Sequence, residues 1–259
     1  MELVVTGYAG LYGSLCIYQD AQCGAVLRAR YAETFLQKLL EEGAEAERLS
    51  ALSRGVTQTA ERMVHQGQSQ AENVSARISA QERGAEENAL HTAPDGENSK
   101  AALSAFLSKY ARAAEDGMLR AAGDGGIFAA MWALLKANRT GAVFSQRSIP
   151  ILQQTVEVCE TFGLDPYRLS APGCAVWLSS DAGALLDTAR AAGIETAVIG
   201  HTRKGAGILR TDGPQTAYLR RPEPDEVQKL YDGRLGMSRD GADALRQAWQ
   251  RVNGKDERS

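Results

Sequence analysis

The chain has 259 residues, of which 44% are hydrophobic and 24% charged, so it can bury one sizeable core and a second small unit. A formal net charge of -3 excludes a general attraction to nucleic acid or to anionic membranes. The chain has no apolar run of membrane-spanning length and no basic leader after Met1, which predicts a cytoplasmic protein.

The chain begins with a predicted strand, a glycine-containing connection and a helix. Residues 3–6 (LVVT) have the composition of a short strand, and residues 26–40 have apolar side chains at helical spacing. Gly7, Gly10 and Gly13 predict a tight connection between them. Their spacing differs from the Gly-x-Gly-x-x-Gly fingerprint of dinucleotide-binding proteins, and no acidic residue ends a following strand. We therefore expect no dinucleotide here.

Residues 44–99 are predicted to form an inserted helical and flexible segment. No aromatic residue occurs from Leu36 to Ala105, and the stretch is rich in Glu, Gln, Ser, Arg and Ala. Such a composition leaves little apolar surface to bury. Residues 56–63 and 74–78 keep a helical period, whereas residues 84–98 read as a loop. The insert therefore divides a domain formed by residues 1–43 and 100–235.

Helices and strands alternate in the second part of that domain, which predicts an α/β fold. Pro150 is expected in the first turn of one helix, Gly163 at its end, and Asp181 as the N-cap of the next. The predicted helices are 126–137, 150–162, 185–191 and 222–230, and the predicted strands are 141–144, 175–178, 196–199 and a hairpin around Asp212 and Gly213. Residues 236–259 are expected to form a C-terminal helix, over 240–252, and a tail.

Six short motifs, taken in order, resemble the C-terminal domain of the aminoimidazole ribonucleotide synthase superfamily, also called PurM-like. The motifs resemble in particular its synthase-related branch, often labelled hydrogenase maturation factor. The motifs are residues 4–14 (VVTGYAGLYGS), 125–134 (GGIFAAMWAL), 149–151 (IPI), 155–159 (TVEVC), 163–167 (GLDPY) and 197–200 (AVIG). The resemblance implies a three-layer α/β/α domain with a small mixed sheet.

The resemblance also implies which domain would supply the contacts to a nucleotide. Members of the superfamily usually carry an N-terminal domain of similar size that supplies most contacts to ATP and metal. This sequence begins at Met1 with the C-terminal type of domain. We therefore expect ATP and magnesium to bind only together with a partner domain, and we expect neither a catalytic residue nor a metal ligand within this chain.

The loop before the helix at Gly126 departs from the family pattern. The family usually has His-Asp-x-Thr-Glu-Gly-Gly, and this chain has residues 120–126 (RAAGDGG). One interpretation is a residual phosphate cradle of Asp124, Gly125 and Gly126, with Arg120 as a cationic neighbour, because backbone N–H groups at a helix start attract anions. The other is structural, in which Asp124 caps the helix and the glycines allow close packing.

Other candidate residues have weaker patterns. His201, beside Thr202, Arg203 and Lys204, is placed after a strand, where it could meet an anionic ligand or simply form a solvated turn. Ser14 and Cys16 would need a nearby base to act as nucleophiles, and none is recognisable. The cysteines show no zinc spacing and predict free buried thiols; they are Cys16, Cys23, Cys159 and Cys174.

Two hypotheses of function follow. The first is a binding or assembly protein that has lost independent ATP-dependent catalysis and forms a homo-oligomer, because the surface that a partner domain covers in the family must be hidden elsewhere. The second is a subunit of a two-component enzyme of the synthase or hydrogenase maturation type, whose ATP-binding half is a separately encoded protein.

Overall fold

The computed structural model describes the backbone of residues 1–65, 97–213 and 215–231 and the side chains of residues 1–54, 100–213 and 215–230. The predicted loop at 84–98 falls almost wholly outside these ranges, and the helix predicted over 240–252 lies entirely outside them. The α-helices are α1 (Leu11–Gln19), α2 (Ala21–Arg30), α3 (Glu33–His65), α4 (Glu97–Glu115), α5 (Gly126–Ala137), α6 (Gln153–Phe162), α7 (Ala182–Ala191) and α8 (Gln228–Tyr231).

One mixed sheet of seven strands runs through the described residues. The strands are β1 (Glu2–Thr6), β2 (Leu119–Ala121), β3 (Gly141–Ser145), β4 (Ala175–Ser179), β5 (Thr196–Arg203), β6 (Ile208–Asp212) and β7 (Gln215–Tyr218). Their spatial order is β2-β4-β1-β5-β3-β6-β7. Among the pairs of this sheet, β3 with β6 is parallel and the other pairs are antiparallel.

Helices pack on both faces of the sheet, as an α/β/α domain requires. Side chains alternate along a strand, so Leu3 and Val5 contact one cluster and Val4 contacts another. The first cluster contains Ile127, Met131 and Leu135 of α5, and the second contains side chains of α4 and α7 packed around Trp177. The expected α/β class with a mixed sheet is therefore confirmed.

A third apolar cluster joins α1, α2, the first part of α3, α6 and α8. Gly43 lets α3 approach α1, because an added Cβ there would lie 2.6 Å from the Leu15 side chain. Helix α3 is continuous from residue 33 to residue 65 and therefore passes the predicted boundary between residues 43 and 44 without a break. The division into domain and insert stays a prediction.

Several local predictions are confirmed. Helix α5 has the predicted bounds, Gly163 ends α6 with a φ of 65°, and the Asp181 side chain accepts a hydrogen bond from the Ala184 N–H at the start of α7. Asp212 ends β6 and Gly213 follows it in the turn to β7, and the two strands pair as a hairpin. None of the helices within residues 1–65, 97–213 and 215–231 is both long and apolar enough to cross a membrane.

Other local predictions are wrong. Gly7 and Gly10 lie in the predicted connection with positive φ, but Gly13 lies inside α1, and the helix predicted over 26–40 is divided between α2 and α3. Pro150 lies before α6, whose N-cap is Leu152. The closing helix is only α8, since most of residues 222–227 form an irregular segment. These errors arise where buried, uniformly apolar or proline-containing stretches lack a readable period.

Candidate functional site

The glycine loop adopts a conformation that side chains rarely allow. Gly125 is the N-cap of α5 with a φ of 75°, and Gly126 has a φ of 64°. An added Cβ at Gly126 would lie 2.6 Å from the backbone oxygens of both Tyr167 and Leu169. Both the backbone conformation and the close approach of residues 167–169 therefore require glycine at position 126.

A carboxylate from the end of the described chain binds this loop. Asp225 is only 4% exposed, and its Oδ2 accepts a hydrogen bond of 2.7 Å from the Gly125 N–H. Its Oδ1 accepts one of 3.0 Å from the Val227 N–H. The Asp225 carboxylate thus occupies the N-terminal end of α5, where the helix dipole and the backbone N–H groups favour an anion.

The surroundings of Asp225 oppose its ionisation. Burial, aided by the negative charges of Asp124 and Glu226, raises the pKa of Asp225 to about 7, against the opposing effect of the two backbone hydrogen bonds. A carboxyl group in a dry setting keeps its proton to higher pH because the charged form loses water. Asp225 is therefore the carboxyl group at this site that changes charge near neutral pH.

A network of ion pairs fixes the segment that carries Asp225. Arg168 contacts Glu223 at 2.9 Å and Asp165 at 3.4 Å. Glu226, which is 4% exposed, accepts a hydrogen bond of 3.1 Å from the Asp165 N–H and pairs with Lys229. Burial raises the pKa of Asp165 despite its Arg168 neighbour. We call residues 222–227 the strap, because these contacts hold them across the loop.

This arrangement does not fit a bound phosphate. The Gly125 N–H already donates to Asp225, and the Tyr167 ring stacks on Phe128 of α5 with ring centroids 5.3 Å apart. Negative charge from the strap also lies where the phosphate charge would be placed. ATP or its magnesium ion would have to displace the strap before it reached this loop, and we route no chemical step through either group.

The four predicted cradle residues are only partly brought together. Gly125 and Gly126 meet at the helix start, as predicted. Asp124 is exposed, and the prediction that it caps α5 is wrong, because the cap position is Gly125 and the bound carboxylate is that of Asp225. Arg120 is exposed within β2, opposite Val176, and its assignment as a cationic neighbour stays a prediction.

The sequence reading missed Asp225, Arg168 and Glu223. The sequence predicts a helix over residues 222–230, and that prediction assigns no role to Glu223 or Asp225. The available signal was Pro222 and Pro224 on either side of Glu223, a spacing that disfavours a continuous helix. Even that signal would not have placed the carboxylate at Gly125, which is 100 residues away in the chain.

The surroundings of the remaining candidate residues give no sign of a catalytic role. Ser14 is fully buried and its hydroxyl donates to the Gly10 carbonyl oxygen at 2.9 Å. Burial raises the pKa of Cys16 to about 11, so its thiol is a weak nucleophile. His201 is exposed within β5, so its predicted position after the strand is wrong. The described residues contain no group of three or more His, Cys, Asp or Glu that could hold a metal ion.

Comparison with known proteins gives no relative by sequence and several by structure. No family model matches the chain, and no curated protein matches it. The E. coli hydrogenase maturation protein HypE matches 85% of this chain with a TM-score of 0.48 and 16% identity. A second HypE structure matches 86% with a TM-score of 0.45 and 14% identity. Thiamine monophosphate kinase from Aquifex aeolicus matches 82% with a TM-score of 0.36 and 12% identity.

These solved structures are longer than the chain. The matched region covers 49% and 53% of the two HypE chains and 50% of the kinase chain. This chain therefore spans about half the length of the structures it matches. The likeness is one of fold, since the three identities are 16% or lower.

Proposed function

We propose that this chain is a binding or assembly protein built on a synthase-related, hydrogenase maturation factor-like C-terminal domain, without ATP-dependent catalysis of its own. The observation that carries the proposal is the hydrogen bond from the Gly125 N–H to the Asp225 carboxylate. A loop whose anion-binding end is already filled by the chain's own carboxylate serves to join the strap to α5. In this proposal the loop is structural, and the chain acts through its surfaces.

The residue types of the loop support this proposal. By the resemblance, the imidazole, aspartate and hydroxyl side chains usual in the family are replaced by Arg120, Ala121 and Gly123. Proton transfer and metal binding need such side chains. Arg168, the cation held in the strap network, is already paired with Glu223 and Asp165 and is therefore poorly placed to offset a phosphate charge.

We propose that the protein acts in the cytoplasm as a homo-oligomer. All four cysteines are free and buried, in keeping with a reducing compartment. Strands β5 and β7 present Val198 and Tyr218 to solvent, with 37% and 71% of their surfaces exposed. Exposed apolar side chains on one face of a sheet favour contact with another protein.

The alternative is a subunit of a two-component ATP-dependent enzyme. One observation favours it, since Gly125 and Gly126 keep the left-handed conformations that present a helix start to an anion. A separate ATP-binding protein would then have to move the strap and supply the missing contacts to magnesium and phosphate. This hypothesis therefore requires that removing the Asp225 carboxylate increases affinity for nucleotide.

Calorimetric titration with ATP and magnesium separates the two hypotheses. We expect no binding heat from the unmodified chain. The variant Asp225→Ala opens the loop, and Asp187→Ala removes an exposed carboxylate on α7 as the matched control. Binding that Asp225→Ala strengthens and Asp187→Ala leaves unchanged would establish the enzyme-subunit alternative. Binding that responds to neither variant would also refute the proposal, because it would reveal a nucleotide site elsewhere.

A further inference from the structure

Strand β7 forms one edge of the sheet within the described residues. It is last in the strand order, and no other strand within the described residues pairs with its outer side. All four of its residues are exposed, and none is charged or a proline. Natural edge strands usually carry such residues to prevent pairing with another chain. Because β7 has no charged residue and no proline, its outer edge can pair with another strand.

The hydrogen bonds of the hairpin show which backbone groups point outwards. The Leu219 N–H donates to the Ile208 carbonyl oxygen at 2.8 Å, so Leu219 directs its backbone groups towards β6. Alternate residues of an antiparallel strand direct theirs to opposite sides. Thr216 and Tyr218 therefore direct their N–H and C=O groups away from β6, towards solvent.

We propose that β7 pairs antiparallel with β7 of a second copy of this chain, about a twofold axis at Ala217. This register places Thr216 opposite the partner's Tyr218 and gives four hydrogen bonds between outward-facing groups. It joins the two sheets into one continuous sheet. The inference deepens the proposed assembly function by naming its surface and its partner, and it rests on that function.

Side chains support this register. Thr216 and Tyr218 lie on the sheet face that also presents Val198, and the Tyr218 ring lies against Gly207. An aromatic side chain directly opposite a β-branched one is a favourable cross-strand pair. The twofold axis creates this pair twice, and each copy contributes the same strand. The interface is therefore self-complementary, as a closed dimer requires.

Charges beyond the ends of the strand also match. Arg220 and Arg221 follow β7 and are exposed, while Asp212 at the hairpin turn keeps 48% of its side chain exposed beside Arg147. Antiparallel pairing about Ala217 brings the turn of each copy beside the partner's Arg220 and Arg221. Opposite charges then meet at both ends of the interface. Parallel pairing would instead place arginines beside arginines.

Engineered disulfide formation tests this register. The four natural cysteines are buried, so Ala217→Cys adds an exposed thiol. In the proposed dimer it lies opposite its own copy in a non-hydrogen-bonded pair, where Cβ atoms are about 4.5–5.5 Å apart. We expect mild oxidation to give a covalent dimer. Gln215→Cys is the matched control, because its two copies lie at opposite ends of the paired strands and should not cross-link.

Sedimentation velocity tests the pairing without a cross-link. The Thr216 N–H points away from β6, so Thr216→Pro removes an outward donor while leaving the hairpin ladder. Two hydrogen bonds of the dimer are lost. We expect the dissociation constant of the dimer to rise roughly thirtyfold, about fivefold for each bond. Thr216→Val keeps the N–H and should dimerise as the parent does. Thermal unfolding of each variant shows whether it is folded.

These experiments distinguish failure of the proposed dimer, failure of its register and failure of the proposed function. A parent chain that stays monomeric at high concentration, with no cross-link from Ala217→Cys, overturns the proposed dimer. A dimer that persists in folded Thr216→Pro, with equal cross-linking from Ala217→Cys and Gln215→Cys, overturns the β7 register and leaves homo-oligomerisation standing. Nucleotide binding in the calorimetric titration overturns the proposed function whatever the state of the dimer.

Discussion

The substitution Asp225→Asn removes the titration of the buried carboxyl that fills the glycine loop. The pKa of Asp225 is raised to about 7 in the folded chain, whereas an unfolded aspartate titrates at about 3.9. Because the folded pKa is the higher one, the folded state holds its proton more tightly than the unfolded state. Stability is therefore lost as the pH rises from about 4 to about 7.

The magnitude follows from the two pKa values. Their difference, about 7 minus about 3.9, corresponds to about 4 kcal/mol of unfolding free energy, of which about 2–3 kcal/mol is lost between pH 5 and pH 8. An amide cannot titrate, but its NH2 group replaces one of the two oxygens that separately accept from the N–H groups of Gly125 and Val227. We therefore expect Asp225→Asn to lose one hydrogen bond at every pH, so that its stability relative to the parent changes with pH only through the titration of Asp225.

Urea unfolding at pH 5, 6, 7 and 8 measures this change. We expect the unfolding free energy of Asp225→Asn minus that of the parent to increase by about 2–3 kcal/mol across the range. Asp187→Asn, which removes an exposed carboxylate, should run parallel to the parent. Parallel curves for Asp225→Asn and the parent would refute the reasoning, since they would mean that Asp225 is as hydrated in the folded chain as in the unfolded one.

Two further predictions concern the glycine loop and the thiols. Both Gly126 and Gly117 have positive φ, but of the two only Gly126 is crowded by backbone atoms. Gly117→Ala should therefore lower the unfolding free energy in urea by about 1–2 kcal/mol, and Gly126→Ala should lower it by about 1–3 kcal/mol more. Equal losses would contradict the close approach of residues 167–169. Burial raises the pKa of every cysteine thiol. A chromogenic disulfide reagent at pH 8 should therefore react slowly with the folded protein, whereas in urea it should react with all four thiols. Rapid reaction of any thiol in the folded protein would contradict this burial.

Local sequence patterns predicted those elements whose bounds are set by neighbouring residues. The bounds of α5 follow from its apolar spacing after two glycines, and those of β4 from a short apolar run. The same reading failed at α1, where seven consecutive residues from Leu11 to Ile17 are buried. A helix that is apolar on all sides shows no helical period, so Gly13 was assigned to the preceding connection.

Contacts between distant residues decided the rest. Position 13 inside α1 requires glycine because an added Cβ would lie 2.4 Å from the Leu169 side chain, and no local pattern contains that neighbour. The exposed edge of β7 likewise follows from the order of the strands. A sequence can show that residues 215–218 form a strand, but it cannot show which strand remains unpaired on one side.

The sequence by itself determined the α/β class, the helix that begins at Gly126 and the presence of a glycine loop, because periodicity, capping and turn residues act over a few neighbouring positions. Only the tertiary structure decided what that loop binds. Asp225 reaches the Gly125 N–H across 100 residues of chain, and its charge is set by burial that exists only after folding. The same short loop would attract a phosphate if open to solvent, and here it holds a carboxylate of its own chain.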